Sequence, residues 1–176
     1  GRGGEILVGG DFHGANPALR NAQDTAVAAG ASLRADAVGS GDGGKVVVWS
    51  DGSSRFAGTV SARGGTAGGN GGQVEVSGTP SLDFEGSVDT RAPRGATGSL
   101  LLDPSDITIS TGANASMSSG PTFTGTAASS NLNTTTLQSA LATSNVVVDT
   151  TSAFAGAGNI SVNNAVTWAS GNSLEL

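Results

Sequence analysis

One pattern in this chain is written twice. GGKVVVWSDGSSRFAGTVSARG at 43–64 returns as GGQVEVSGTPSLDFEGSVDTRA at 71–92, and a third copy begins after it. Gly44 recurs as Gly72, Val46 as Val74, Val48 as Val76, Phe56 as Phe84, Gly58 as Gly86, Val60 as Val88 and Arg63 as Arg91, each 28 residues on. A fixed period of this length marks a repeat architecture, in which one unit cannot bury its apolar face alone and stacks on the next. Within a unit the apolar residues alternate, so each segment is a strand with one face inward. The strands are short and end in Gly, Asp-Gly, Thr-Pro or Gly-Gly, which are turn-forming residues. Short strands, tight corners and a constant register describe one coil of a parallel β-helix. Residue i then lies beside residue i+28, at the ~4.7 to 4.9 Å spacing of neighbouring strands. The inward set expected from this phase is Val46, Val48, Phe56, Val60, Val74, Val76, Phe84, Val88, Leu100 and Leu102.

Composition fits a narrow tube better than a globule. Gly is 29 of 176 residues and aromatics are 4%, too few large side chains for a conventional core. Registered β-branched alternation argues against disorder of the whole chain. With no Cys, neither disulfides nor thiolate metal sites hold the fold. A net charge of −6 and a pI near 4.4 exclude nucleic acid as the expected partner, because phosphate binding needs a basic face. No apolar run approaches the ~18 residues of a membrane span. The opening GRGGEILVGG already reads as the start of a coil, so a piece of a longer secreted protein is expected.

Along the chain, residues 1–110 read as regular coils with one insertion. Gly3-Gly4-Glu5-Ile6-Leu7-Val8 matches the GGKVVV start, and Ala31 to Asp36 matches Gly58 to Arg63. About 12 extra residues, at about 10–24, then form a protruding loop. SLLLDPSDITIS at 99–110 begins the next coil, with Pro104 at a corner. Residues 111–145 read as an irregular Ser/Thr-rich stretch ending in a short helix near 134–144. Leu137, Ala140 and Leu141 share its inner face, Thr134 or Thr135 caps its start and Asn145 ends it. Residues 146–176 resume as strands at Val146–Asp149, Asn159–Val162, Ala165–Trp168 and Ser173–Leu176.

At GGKVVVWSDGSSRFAGTVSARGG, GGQVEVSG, FEGSVDTRAPRGATGSLLLDPSDITIS and NISVNNAVTWASGNSLEL, the chain resembles the filamentous-haemagglutinin-like exoproteins of Gram-negative bacteria, the secreted partners of two-partner secretion systems. The resemblance covers nearly the whole chain. It implies a right-handed parallel β-helix, export through an outer-membrane transporter partner, and a place in an extended cell-surface or released adhesin. The family's N-terminal secretion domain carries Asn-Pro-Asn motifs followed by Gly or Leu. Here the one Asn-Pro is Asn16-Pro17, followed by Ala18, so the resemblance is to a shaft segment downstream of that domain.

Each chemistry-bearing group has a structural account. GGNGGQVEV at 68–76 is similar to calcium-binding nonapeptides, but it is single and lacks their Asp, so corner formation is expected. Asp83, Glu85, Asp89 and Arg91, with Arg55 and Arg63 one coil below, suggest a polysaccharide lyase. The repeat instead stacks Arg55 beside Asp83 and Asp36 beside Arg63, as exposed pairs of alternating sign. His13, the single His, is expected to be a solvated loop residue. Trp49 is expected outward or over a corner, and Trp168 in the core. No catalytic, cofactor-binding or metal-ligating residue is therefore assigned, and no cofactor and no enzyme activity are expected. The primary reading is a structural shaft at the cell surface or in the medium. The second is a binding module whose loops at 10–24 and 111–134 take a glycan or host surface protein. The third and weakest is a glycan-cleaving enzyme.

Overall fold

Alternation of β-branched residues with small or polar ones yields strands of two to six residues, and every pairing among the described strands is parallel. The computed structural model describes residues 1–78, 81–104, 107–113, 130–149 and 159–176. In order, the elements are β1 (Glu5–Val8), β2 (Thr25–Val27), β3 (Ser32–Arg34), β4 (Lys45–Val48), β5 (Ser53–Phe56), β6 (Thr59–Ser61), β7 (Gln73–Gly78), β8 (Ser81–Phe84) and β9 (Ser87–Asp89). There follow β10 (Ser99–Pro104), β11 (Ile107–Ser110), β12 (Ser130–Asn133), α1 (Thr134–Leu141), β13 (Asn145–Val148), β14 (Ile160–Val162) and β15 (Leu174–Glu175). The fold is all-β with a single helix among the described residues.

Four parallel sheets form, and in the first nine strands each sheet collects the equivalent strand of each repeat, whereas the sheet of β11, β12 and β14 departs from chain order. The largest has the order β1-β4-β7-β10-β13-β15, and three smaller ones have the orders β2-β5-β8, β3-β6-β9 and β12-β11-β14. Register follows the sequence repeat. Val46 lies beside Val74, Phe56 beside Phe84 and Val60 beside Val88, each 28 residues apart. Where the repeat stretches or shortens, register holds: Ile6 pairs with Val46, 40 residues on, and Val74 with Leu100, 26 on. The added residues leave between strands and the apolar phase is kept, because a slip of one residue would turn every inward side chain out.

All ten expected inward residues belong to one buried cluster, joined by Leu82, Ile107, Ile109, Leu132, Leu137, Leu141, Val146 and Val148. The Phe56 and Phe84 rings stack with centroids 5.5 Å apart and planes 9° from parallel, so the equivalent aromatics of successive units form a ladder. The Gly-Gly corners have a steric cause. A Cβ on Gly44, Gly72 or Gly98 would come within 1.9, 2.0 and 2.0 Å of the carbonyl oxygen of the glycine preceding it in the stack. Only glycine lets the backbones close at that corner.

Several expectations are corrected. The helix is capped by Asn133, whose side chain accepts from the Thr135 and Thr136 amides, and it ends at Leu141 with Ala142 as its C-cap rather than near Asn145. Asn precedes the helical Thr run in extended conformation and so reaches the free amides first. Its buried face of Leu137, Ala140 and Leu141 is as expected. Ala165–Trp168 is not a strand. No described strand pairs with it, and the Trp168 Nε1–H turns back to the Asn172 carbonyl at 2.8 Å. Trp168 is accordingly exposed, not core. The expected irregular stretch lies largely outside the described residues, since 114–129 are not among them.

Candidate functional site

Along the large sheet the residues facing away from the core are Leu7, Val47, Glu75, Leu101 and Val147, aligned by register. Val47 and Glu75 are nonetheless completely buried. Their cover is the insertion between β1 and β2, which lies back against the sheet at its base instead of standing clear of it. Gly10 and Gly14 lie directly on the Trp49 indole, where a Cβ on either would come within 2.7 and 2.5 Å of the ring. Trp49 does face outward, but beneath this cover, and its Nε1–H donates to Asp51 Oδ1 at 3.0 Å. Asn21 donates to the same oxygen at 2.8 Å and to the Gly14 carbonyl at 3.1 Å. The tip from Pro17 to Arg20 is exposed.

The insert is also held by charge. Lys45 Nζ sits 2.7 Å from Asp11 Oδ1 and 2.7 Å from Glu5 Oε1. This ammonium, with the Asn16 amide and the Phe12 N–H, holds the Asp11 carboxyl down at about 2. A 3-10 turn at Phe12–Gly14 follows, in which His13 takes a left-handed backbone (φ 55°), the one non-glycine residue to do so among those described. That conformation points the His13 N–H at both oxygens of Glu75, 3.2 and 3.1 Å away.

His13 is therefore exposed on one side only. Its ring nitrogen Nδ1 lies 3.6 Å from Asp103 Oδ2, while Phe12 packs edge-on against the ring at 4.4 Å. Ser77 donates to Glu75 Oε1 at 2.8 Å. Asp103 is 2% exposed, and its Oδ1 has no hydrogen-bond partner among the described residues. Burial, with the Asp149 charge adding to it, pushes the Asp103 carboxyl up to about 6. Burial also raises Glu75, against the hydrogen bonds from Ser77 and His13 that favour its ionised form. One imidazole nitrogen and two carboxylate oxygens thus converge within 4.8 Å of one another, a donor set that suits a cation.

The acidic residues singled out from the sequence do not converge. Arg55 lies beside Asp83 as expected, at 3.5 Å, and also 3.4 Å from Glu85, but Asp83 is buried rather than exposed. Burial and the Glu85 charge raise its pKa against the pull of Arg55. Arg63 turns to Asp89 at 3.6 Å, and Asp89 is held mainly by Arg91 at 2.6 Å. Asp36 accepts the Arg63 N–H at 2.9 Å and pairs with the Arg34 guanidinium at 3.2 Å. Asp36 and Asp89 line one concavity with Arg34 and Arg63, but each of these two carboxylates is paired with an arginine.

Sequence reasoning passed over Glu75 and Asp103. A signal was present: an apolar Val47 and a Trp49 on the outward side of a strand imply a cover, and the nearest spare chain is the insert carrying His13. No protein-family model and no curated protein sequence matches the chain.

Proposed function

We propose that the chain is a stretch of right-handed parallel β-helix forming part of the shaft of a large secreted bacterial adhesin of the filamentous-haemagglutinin type. Its work is to hold binding regions away from the cell surface and to fold outside the cell as it emerges from an outer-membrane two-partner secretion transporter. The observation carrying this reading is the constant register of equivalent residues across parallel sheets, with one continuous core beneath. Such stacking accumulates stability layer by layer, and each layer offers a template for the next. The pairing of Asp83, Glu85 and Asp89 with arginines supports a structural use of those charges. No described helix is long and apolar enough to cross a membrane.

The test is adherence of cells that display the parent protein. Replacing the exposed Pro17–Arg20 tip by Gly-Ser is expected to leave adherence unchanged, and removal of the outer-membrane transporter to abolish surface display. Loss of adherence on replacing the tip, together with a glycan-array signal that the replacement removes, would establish a binding module instead. Reducing ends released from an acidic polysaccharide in a manner dependent on Asp83 or Asp89 would establish an enzyme.

A further inference from the structure

We propose that His13, Glu75 and Asp103 form a binding site for one divalent transition-metal ion of the Zn²⁺ class, which clamps the insert between β1 and β2 onto the large sheet. This goes beyond the shaft reading and does not depend on it.

Three observations carry the site. The first is the geometry of the donors. His13 Nδ1 and Asp103 Oδ2 stand 3.6 Å apart, too far for a strong hydrogen bond. Two ligands bound at ~2.0 to 2.1 Å in a tetrahedron lie roughly 3.3 Å from each other, so this spacing suits two ligands of one ion. The second is the buried Asp103 oxygen with no hydrogen-bond partner among the described residues. A buried carboxylate in that state is costly unless a proton or cation answers it. Lys45 does not supply that charge, because its ammonium is committed to Glu5 and Asp11.

The third is preorganisation. The Glu75 carboxylate is fixed by Ser77 and by the His13 amide, and a carboxylate with about four acceptor sites keeps room for a metal beside those bonds. His13 holds an unfavourable backbone angle to present that amide, strain that persists only where its surroundings over-determine it. Its side chain is 43% exposed while Asp103 is enclosed. The ion thus has an entry path and an open coordination position for water. An imidazole among the donors selects Zn²⁺ and its neighbours over Ca²⁺ and Mg²⁺, which prefer all-oxygen shells.

Titration of the chelator-stripped chain with ZnSO₄ by calorimetry tests this, with CaCl₂ and MgCl₂ run in parallel. The expected result is one Zn²⁺ per chain at micromolar affinity or tighter. At free Zn²⁺ about 100-fold above Kd, the melting temperature should rise by roughly 5 to 10 °C. Co²⁺ in place of Zn²⁺ should give visible absorption of a low-coordinate nitrogen and oxygen site. His13→Ala and Asp103→Asn should each weaken Zn²⁺ binding at least 100-fold while unfolding as cooperatively as the parent, and Asp83→Asn should bind as the parent does. His13→Ala lies in the insert, outside the core, so its result stands even if the Asp103 variant folds poorly. Absence of saturable Zn²⁺ binding below millimolar concentration, binding that survives His13→Ala, or tighter binding of Ca²⁺ than Zn²⁺ would each overturn the proposal.

Discussion

Gly86 shows how tightly single residues constrain this fold. Its φ lies outside the left-handed region, so no backbone strain is involved, but an added Cβ would come within 2.2 Å of the Phe56 ring and 2.4 Å of the Gly58 carbonyl oxygen. The stacked Phe56–Phe84 pair leaves no direction in which to yield. Gly86→Val is expected to destabilise the chain by about 1 to 3 kcal/mol in urea unfolding. Gly4→Ala, where nothing lies within 4 Å, is expected to leave the midpoint in place; equal effects at the two sites would contradict the stacking. Charge behaves more mildly. Burial raises the Asp89 carboxyl, but the Arg91 side-chain and backbone hydrogen bonds and the Arg63 charge outweigh it and leave it below 3.8. A depressed folded value means the stabilisation is present above 3.8 and is lost as pH falls through the folded value. Asp89→Ala should therefore cost up to about 1 kcal/mol at neutral pH, a figure held down by the exposure of Arg91, and the difference should shrink steadily as pH falls below 3.8.

At the scale of elements, what was legible in the sequence was whatever depended on period. Alternation gave the strands, and the 28-residue step gave the pairing of Val46 with Val74 and the inward phase of the core. Outward Val47 and Trp49 signalled that the insert covers the sheet, but which residues it meets there was not legible, because those contacts join residues far apart in sequence. His13 meets Glu75, 62 residues away, and neither residue carries a local signal of the other. The same limit misled the reading of Ala165–Trp168, whose alternation suits a strand only if a neighbour pairs with it. The two tryptophans now have opposite settings, Trp49 at 6% and Trp168 at 40% exposure. With Trp168→Phe, the remaining fluorescence should be blue-shifted and resistant to acrylamide; with Trp49→Phe, it should be red-shifted and readily quenched. Ready quenching of Trp49 would show that the insert does not cover the sheet in solution.

For the whole molecule, the central claim is that the layers β1–β3, β4–β6 and β7–β9 are equivalent stacking units, so that the length of this array is free while its register is fixed. The stretch Gln73–Gly98 is one such unit, 26 residues from the start of β7 to the start of β10. It brings β7, β8 and β9 with their share of the core, and it begins and ends at the glycine corner. The most direct measurement is thermal unfolding of a chain in which Gln73–Gly98 is duplicated in tandem. The added β7, β8 and β9 should pair with the originals in their three sheets, with the second β7 also beside β10, giving one cooperative transition at a melting temperature no lower than that of the parent. A duplication of only the first half of the unit should abolish cooperative folding. A lowered melting temperature, or a separate early transition for the whole-unit duplication, would contradict the account.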